Sequence, residues 1–345
     1  MTKRTSSITI RDIAREADVS VATVSRYLNQ NAFVSPDLSV RIQEVMDQLD
    51  YIPQATARHL AMRKKNTVGL LVPNMYNNFF AALLAGIEGV VSKYDYSLLV
   101  ATCRMNQSGG YQFPLGSHNT DGLLIFADSL SDKQISQLYD RQLPIVLIHK
   151  SSTDGVDIPT VTIENKTATR KLIKHLIEDH GRRRILLVRG SENQEDAYWR
   201  EVGFKEALSE HDIAFDEGLA IRGSFEREIA YNSLKEFLAD PNHQEFDAVF
   251  TGDDDAAVGI YDALRENGLR IPEEVSVVGF DDSQIAPFLT PPLTTVMAPT
   301  EEVGRSAAEQ LFRLLDGNNP VPVTLHSTEI VLRSSCGCNM HHSAS

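Results

Sequence analysis

Apolar side chains recur at helical spacing near the start of the chain. A first helix is predicted from Thr9, which with Asp12 has the sequence pattern of a capping box; its apolar positions are Ile10, Ile13, Ala14 and Ala17. Ser20 can cap a second helix, whose inward positions are Val24 and Leu28. Its outward positions are Val21, Ala22, Ser25, Arg26 and Asn29. The pattern predicts either a helix-turn-helix or a plain αα-hairpin of a globular protein.

A third helix decides between these two interpretations. Ser35 and Pro36 supply a cap and a first helical residue, and one apolar stripe follows, made of Leu38, Ile42, Val45, Met46 and Leu49. Three such helices can close a small core, which favours a helix-turn-helix whose second helix reads a DNA major groove. A short alanine-rich segment then precedes Arg63-Lys64-Lys65, and we interpret it as a hinge.

From Thr67 onward, short β-branched and aliphatic runs alternate with helical stretches. The runs are VGLLVP, YSLLVAT, DGLLIFA, PIVLIH, TVTIEN, RILLVRG, DAVFTG and VSVVGFD. This alternation is typical of βαβ units and of parallel sheets covered by helices. In open α/β sheets ligands bind beyond the carboxyl ends of the strands, so the loops after those strands are the candidate binding site.

The segments VSVATVSRYLN, VSPDLSVRIQEVMDQLDYIP and ARHLA, together with GLRIPEEVSVVGFDD and PPLTTV, resemble the LacI family of bacterial transcriptional regulators. The resemblance implies an all-α helix-turn-helix head and a hinge helix, joined to a two-lobed α/β body similar to periplasmic binding proteins. The expected domains are the head at 1–53, the hinge at 54–66, the body at 67–335 and a tail at 336–345. The expected lobes are lobe N, 67–163 plus 294–324, and lobe C, 164–292 plus 325–335.

The resemblance also implies DNA contacts. Val21 and Ala22 match the specificity pair of the family, and their apolar side chains suit thymine methyl groups. Leu60, in ARHLA, is expected to insert into the minor groove of the operator, where the cost of unstacking two base pairs is offset by a larger protein–DNA contact. The alternative is that Leu60 is a buried leucine between the domains. The full predicted DNA-binding set is Thr9, Val21, Ala22, Thr23, Ser25, Arg26, Asn29, Ala57 and Leu60.

The predicted effector site lies in the strand-end loops. Arg200 and Asp281 match ligand-contacting positions of the family, and Phe79, Asp253 and His149 are further candidates. Carboxylates, an arginine and an aromatic face suit a polyol, so a sugar is expected and a purine is the alternative. Purely structural roles remain as alternatives for these residues. Phe79 can be a packing residue, Asp254 or Asp255 a helix cap, and Arg200 a surface partner of Glu195 or Glu201.

The charge distribution and the cysteine content favour a DNA-binding protein of a reducing compartment. Residues 1–65 hold 10 Lys and Arg against 7 Asp and Glu, a net +3, whereas the remainder holds 23 against 40, a net −17. A positive head on a negative body suits phosphate contacts at one end only. Three cysteines, no apolar leader and no long apolar run predict a cytoplasmic protein. Glycine-rich phosphate loops are absent from the sequence, so we expect neither an enzyme nor a cofactor.

Two stretches depart from these patterns. Residues 103–120 carry several glycines and a proline, which predicts a shortened helix or a loop. Cys336, Cys338, His341 and His342 crowd together and lack the separated pairs of structural zinc sites, so we predict a tail and no metal. The sequence therefore predicts a dimeric, effector-modulated repressor of a pseudo-palindromic operator, with a cytoplasmic solute-binding protein as the main rival.

Overall fold

A computed structural model describes residues 8–29, 33–51, 64–75, 79–103, 113–152, 156–192 and 194–338. The chain divides into two compact units, a head that extends to Lys65 and a body that begins at Asn66. Among the residues described, helices long and apolar enough to cross a membrane do not occur. The predicted hinge residues Ala57 and Leu60 lie outside the described residues.

The head contains the three helices that the sequence predicts. They are α1 (Ile10–Glu16), α2 (Val21–Asn29) and α3 (Pro36–Gln48). The predicted capping box forms at the start of α1, where the Thr9 amide donates to Asp12 Oδ2 at 2.9 Å. Ser20 caps α2, since its Oγ accepts a hydrogen bond from the Thr23 amide at 3.0 Å. One core unites the helices, built from Ile13, Ala14, Ala17, Val24, Ile42, Val45 and Met46. Ile10, Leu28 and Leu49 pack against this core, so the predicted inward faces are confirmed except at Leu38, which is half-buried outside it.

The body alternates strands and helices. The described strands are β1 (Thr67–Val72), β2 (Ser97–Thr102), β3 (Gly122–Phe126), β4 (Ile145–Ile148), β5 (Thr160–Ile163), β6 (Ile185–Arg189), β7 (Ala220–Arg222), β8 (Ala248–Thr251), β9 (Ser276–Val278), β10 (Thr295–Met297), β11 (Val323–His326) and β12 (Glu329–Val331). The described helices are α4 (Phe79–Val91), α5 (Asp132–Tyr139), α6 (Lys166–Glu178), α7 (Glu195–Glu210), α8 (Arg227–Ala239), α9 (Asp254–Glu266) and α10 (Thr300–Leu315).

Two parallel sheets define two lobes. The sheet of lobe N has the strand order β11-β5-β4-β3-β1-β2, and the sheet of lobe C has the order β7-β6-β8-β9. Strands β1, β3, β4 and β6 consist almost wholly of buried aliphatic residues, as expected where helices cover both faces of a parallel sheet. The predicted α/β class is confirmed.

The chain crosses between the lobes three times. The first crossing follows β5 at Asn165, and the second runs through β10, which pairs antiparallel with β12 of the third crossing. Because β11 pairs with β5 through His326, the third crossing follows that residue, close to the expected lobe boundary at residues 324–325. Each lobe is thus assembled from segments that are distant in the sequence.

Helices α4 and α10 pack closely in lobe N. A Cβ at Gly86 would overlap the carbonyl oxygen of Glu301, and one at Gly304 would overlap that of Leu83, so the two glycines let the backbones approach. The apolar face of α4 is occupied by this contact and by the sheet, since Leu83 and Ile87 are fully buried. The contact between α4 and α10 is thus part of the core of lobe N.

Two other stretches are informative. Residues 113–120 form turns in which Asn119 Oδ1 accepts from the Gly116 amide at 3.0 Å, in agreement with the predicted loop; residues 104–112 lie outside the described residues. The segment after β12 returns to lobe C, where the Val277 amide donates to Ser335 O at 2.9 Å. Cys336 is fully buried there, so the prediction of a tail from residue 336 is wrong at its first residue.

Candidate functional site

The outer face of α2 presents the predicted DNA-reading side chains. Val21 is 44 % exposed, and Ala22 and Arg26 are also exposed. Thr23 is half-buried, and its hydroxyl lies 2.8 Å from that of Ser20; Ser25 is half-buried as well. Thr9 is engaged in its capping box at the start of α1. Of Asn29 only its place in the helix is described.

A second group of predicted residues meets at the carboxyl ends of the body's strands. Phe79, Arg200, Asp253 and Asp281 line one cavity of about 200 Å³ between the lobes. The other described residues of its lining are Pro73, Asn74, Phe80, Phe126, Asp128, Ser191, Gln194, Asp196, Ser224, Phe225 and Glu226. The cavity is smaller than the roughly 300–1,000 Å³ typical of drug-sized sites, so it suits a small solute.

Arg200 is the central cation of this cavity and is only 5 % exposed. Its Nε donates to Asn165 Oδ1 at 2.8 Å and its Nη1 donates to the Gly252 carbonyl. The guanidinium lies 3.7 Å from the centroid of the Phe280 ring, in cation–π geometry. The alternative of a surface pair with Glu195 or Glu201 is wrong, since Glu201 pairs with Arg189 and Glu195 accepts from Ser151.

Aromatic side chains of lobe N form the opposite wall. The rings of Phe79 and Phe126 lie 5.7 Å apart edge to face, and Phe80 packs 5.1 Å from Phe126. Phe80 is buried, whereas Phe79 is half-buried at the cavity. Phe79 therefore combines core packing with a ring that a ligand can reach.

Carboxyl groups dominate the wall formed by lobe C. Burial and the neighbouring Asp255 and Asp254 raise the pKa of Asp253 to about 7, although its Oδ1 accepts the Ala256 amide as the N-cap of α9. Burial also raises the pKa of Asp281 well above its usual range, against the attraction of Arg200, whose Nη2 lies 3.6 Å from Asp281 Oδ1. Burial in this wall thus opposes the ionisation of both carboxyl groups despite the nearby Arg200.

The three consecutive aspartates Asp253, Asp254 and Asp255 have different structural roles from those predicted. The helix cap is Asp253, not Asp254 or Asp255. Asp254 instead accepts from Thr295 Oγ1 at 2.6 Å and from the Ser283 amide at 2.7 Å, and burial raises its pKa to about 7. Asp254 thus joins α9 to the second crossing.

His149 does not belong to the described lining of the cavity. It is buried behind Phe79 and Phe126, and its Nδ1 lies 2.7 Å from Asp196 Oδ2. Burial raises the pKa of Asp196, but His149, Arg200 and Asn165 together hold that pKa below its usual value. Because His149 follows β4 of lobe N and Asp196 lies on α7 of lobe C, the pair joins the two lobes.

Sequence reasoning missed several residues of the site. Asp196 precedes Arg200 by one helical turn, a spacing that places both on one face of α7 and could have indicated it. Asn165 sits at the end of TVTIEN, where a crossing was predicted without a ligand role. The rings of Phe225 and Phe280 have their centroids 5.5 and 3.7 Å from the Arg200 guanidinium. In the sequence these two residues look like any other core phenylalanines.

Comparison with known proteins identifies the chain. A family described as bacterial regulatory proteins, lacI family, matches residues 9–54, and a periplasmic binding protein-like domain matches residues 173–336. The ribose operon repressor of Haemophilus influenzae is 33 % identical over 317 residues, which cover 90 % of this chain and 93 % of that protein. The chain belongs to the LacI family of bacterial regulatory proteins. This LacI-family protein is a DNA-binding transcriptional regulator.

Solved structures agree with the LacI-family architecture. The complex of a transcriptional regulator CelR with cellobiose is 28 % identical, with coverage of 95 % of this chain and 99 % of that one and a TM-score of 0.68. A lac repressor dimer bound to operator and an anti-inducer has a TM-score of 0.78 at 24 % identity, with coverage of 96 % and 99 %. The second likeness supports the fold of this LacI-family regulator.

Proposed function

We propose that the protein is a homodimeric repressor that acts in the cytoplasm without enzymatic activity. Two heads read the halves of a pseudo-palindromic operator, because a two-fold axis matches two recognition helices to two half-sites. A neutral sugar or sugar derivative in the cavity between the lobes changes the affinity for DNA. The named relatives support this proposal, since one represses a ribose operon and another is a cellobiose complex.

The observation that carries the ligand class is the Asp281 carboxyl. Its Oδ1 is buried at the cavity and accepts no hydrogen bond from any residue that the structure describes. A buried acceptor without a donor costs about 1–3 kcal/mol, and a ligand hydroxyl can supply that donor. Asp281 therefore favours a ligand that donates hydrogen bonds.

The excess of carboxyl groups over cations in the cavity also disfavours an anionic effector, because every carboxyl group that ionises there repels it. Asp128, Asp196, Asp253 and Asp281 all line the cavity, and Arg200 is its one cation among the lining residues described. Nε and Nη1 of Arg200 already donate to Asn165 and Gly252, and its Nη2 lies 3.8 Å from Asp196 Oδ2 and 3.6 Å from Asp281 Oδ1, which leaves few donors for a phosphate or a carboxylate. The ring of Phe79 suits the apolar C–H face of a sugar.

A ligand in this cavity touches both lobes. Phe79 belongs to lobe N, whereas Arg200 and Asp281 belong to lobe C, and the His149–Asp196 pair already bridges the lobes. A ligand that makes more contacts when the lobes are closed shifts the population towards that closed form by its difference in affinity for the two forms. Effector binding thereby selects one arrangement of the body.

Exposed apolar side chains of the body offer surface for the dimer. Large apolar side chains exposed on the body include Ile285 and Phe288 of lobe C, and Val323 and Leu325 of β11. Exposed apolar residues of this size favour burial against a second copy of the chain. Light scattering at micromolar concentration should give the mass of a dimer; a stable monomer would refute this part of the proposal.

A ligand screen tests the effector class. Thermal unfolding of the full chain is measured with D-ribose, cellobiose, a hexuronate and a purine base, because a ligand specific for the native state raises the midpoint by mass action. The stabilising compound is then titrated by calorimetry into wild type, Asp281→Asn and Arg200→Ala. Losing a charge-assisted hydrogen bond costs about 1.5–3 kcal/mol, so each variant should bind at least about tenfold more weakly.

Asp255→Asn is the matched control, because Asp255 is exposed and lies outside the lining of the cavity. It should bind as wild type does, and all variants should retain operator binding in the absence of ligand. Unchanged affinity in both cavity variants, or a preference for the hexuronate over the neutral sugars, would contradict the proposed site.

A further inference from the structure

Four metal-ligating side chains meet in lobe C, away from the cavity. They are His175 and His180, near the C-terminal end of α6, and Cys336 and Cys338, in the segment after β12. One ligand atom from each residue lies within 4.8 Å of the other three. Residues about 160 positions apart in the sequence thus converge on one point.

The spacing of His175, His180 and Cys338 is that of three ligands in a tetrahedral metal site, with Cys336 within 4.8 Å of each. The Nε2 atoms of His175 and His180 lie 3.2 Å apart, and Cys338 Sγ lies 3.5 Å and 3.4 Å from them. Zn–N bonds of about 2.0–2.1 Å and Zn–S bonds of about 2.3 Å give tetrahedral edges of about 3.4 Å between nitrogens and about 3.6 Å between nitrogen and sulfur. The observed distances match these edges to within about 0.2 Å.

Neighbouring groups orient the ligands as they do in metal sites. Asp179 Oδ2 lies 2.7 Å from His175 Nδ1, which places the ring proton on Nδ1 and leaves the Nε2 lone pair directed at the cluster. Thr294 Oγ1 donates to Cys336 Sγ at 3.1 Å, a contact that stabilises a thiolate. Cys336 itself is fully buried.

The residue between the two cysteines is also constrained. Gly337 has φ +110°, in the region that favours glycine, and a Cβ there would come within 3.0 Å of His180 Nδ1. The Cys-Gly-Cys sequence therefore permits a turn that brings both sulfurs to the histidines. A bulkier residue would push His180 away from the cluster.

We propose that His175, His180, Cys336 and Cys338 bind one Zn²⁺ ion as a structural site. Two imidazoles and two thiolates form the tetrahedral ligand set that zinc prefers, and four protein ligands leave no open position for catalysis. The ion joins the end of α6 to the segment that follows the third crossing. Because α6 begins directly after Asn165 of the first crossing, the metal anchors two of the three crossings on the lobe C side.

The prediction of no metal rested on histidines that lie near the cysteines in the sequence. It paired Cys336 and Cys338 with His341 and His342, which lie close in sequence but outside the described residues. The histidines that the fold supplies come from α6 instead. Separated ligand pairs, the usual sign of a structural zinc site, are therefore present in the sequence as His175/His180 and Cys336/Cys338.

Metal analysis of the full chain tests the site. The protein is purified without a histidine tag or chelator, and zinc is measured by mass spectrometry; about one ion per chain is expected. After exchange for Co²⁺, a tetrahedral site with thiolates shows strong visible d–d bands and a sulfur-to-metal charge-transfer band. Cys338→Ser and His180→Gln should lose both the zinc and the Co²⁺ bands, whereas the matched controls Cys103→Ser and His211→Gln should retain them.

The effect of a chelator on stability supplies a second readout, in which untreated wild type is the reference for treated wild type. A chelator should lower the melting temperature of wild type and of Cys103→Ser but not that of Cys338→Ser, because only a metal bound to the native state stabilises by mass action. Either of two results overturns the proposal: wild type with no retained metal and no Co²⁺ bands, or a disulfide between Cys336 and Cys338 in the protein purified without reductant.

Discussion

Replacing Asp253 by asparagine separates the capping role of this residue from its charge. The side chain of Asp253 is buried at the cavity and caps α9 through a 3.1 Å hydrogen bond from the Ala256 amide. Asparagine caps helices as well as aspartate does, so Asp253→Asn keeps this bond while removing the titrating group. Any change in pH dependence therefore reports the charge alone.

The size of the effect follows from the pKa. Burial raises the pKa of Asp253 from 3.8 in the unfolded chain to about 7 in the native state. Between those values the native state holds a proton that the unfolded state has released, so the stabilisation is fully present below pH 3.8 and is lost as the pH rises to 7. A shift of about three units corresponds to about 4 kcal/mol at most. Asp254 titrates in the same range, so we expect about 2–4 kcal/mol for Asp253.

The chain provides a local probe for this measurement. Its single tryptophan, Trp199, lies on α7 next to Arg200, so tryptophan fluorescence reports the unfolding of lobe C. Urea unfolding from pH 4.5 to pH 8 should show the free energy of unfolding falling with pH in wild type and falling by about 2–4 kcal/mol less in Asp253→Asn. Glu273→Gln, at an exposed position of lobe C that does not act on the pKa of Asp253, should follow wild type. Parallel curves for wild type and Asp253→Asn would refute a raised pKa at Asp253.

Three further predictions concern the DNA contacts and the core. Exchanging Val21 and Ala22 for Tyr and Gln should change the preferred operator in a selection experiment while the head stays folded, because both side chains are exposed on α2; an unchanged preference would count against base contact. Leu60→Ala should reduce operator affinity and DNA bending without altering ligand affinity; normal bending in a permutation gel would contradict the predicted wedge. Gly86→Ala should destabilise the body by about 2 kcal/mol or more, because the added Cβ would overlap the Glu301 carbonyl oxygen. Gly89→Ala has open space for its Cβ, so it should stabilise α4 by up to about 1 kcal/mol. Equal denaturation midpoints for the two glycine variants would exclude close packing of α4 on α10.

The sequence predicted those parts of the molecule that local rules determine. Aliphatic runs located β1 to β6, β8 and β9 but not the short strands β7, β10, β11 and β12. Thr9 and Ser20 located two helix starts. Arg200 and Asp281 were predicted to lie together, and they do, because the carboxyl ends of parallel strands meet at one edge of each sheet.

The remaining features depend on packing between distant segments. Three consecutive aspartates look equivalent in the sequence, and only the backbone angles of Asp253 make it the cap. His149 was expected at the cavity, but its side chain packs towards Asp196 instead. The backbone of His149 has a positive φ of 57° at the end of β4, which the sequence pattern does not reveal. The pairing of Cys336 with α6 required the third crossing to be in place.

The interleaving of the lobes also has a consequence for synthesis. Helix α4 buries Leu83 and Ile87 against α10, which begins about two hundred residues later in the chain. At roughly 5–20 residues per second, a ribosome needs about 10 to 40 s to deliver that partner. During this interval the apolar face of α4 lacks its final cover, so lobe N cannot complete its core while it is being translated. The nascent protein should therefore depend on holding chaperones more than a regulator with contiguous lobes, and synonymous codons between residues 91 and 300 should affect its soluble yield.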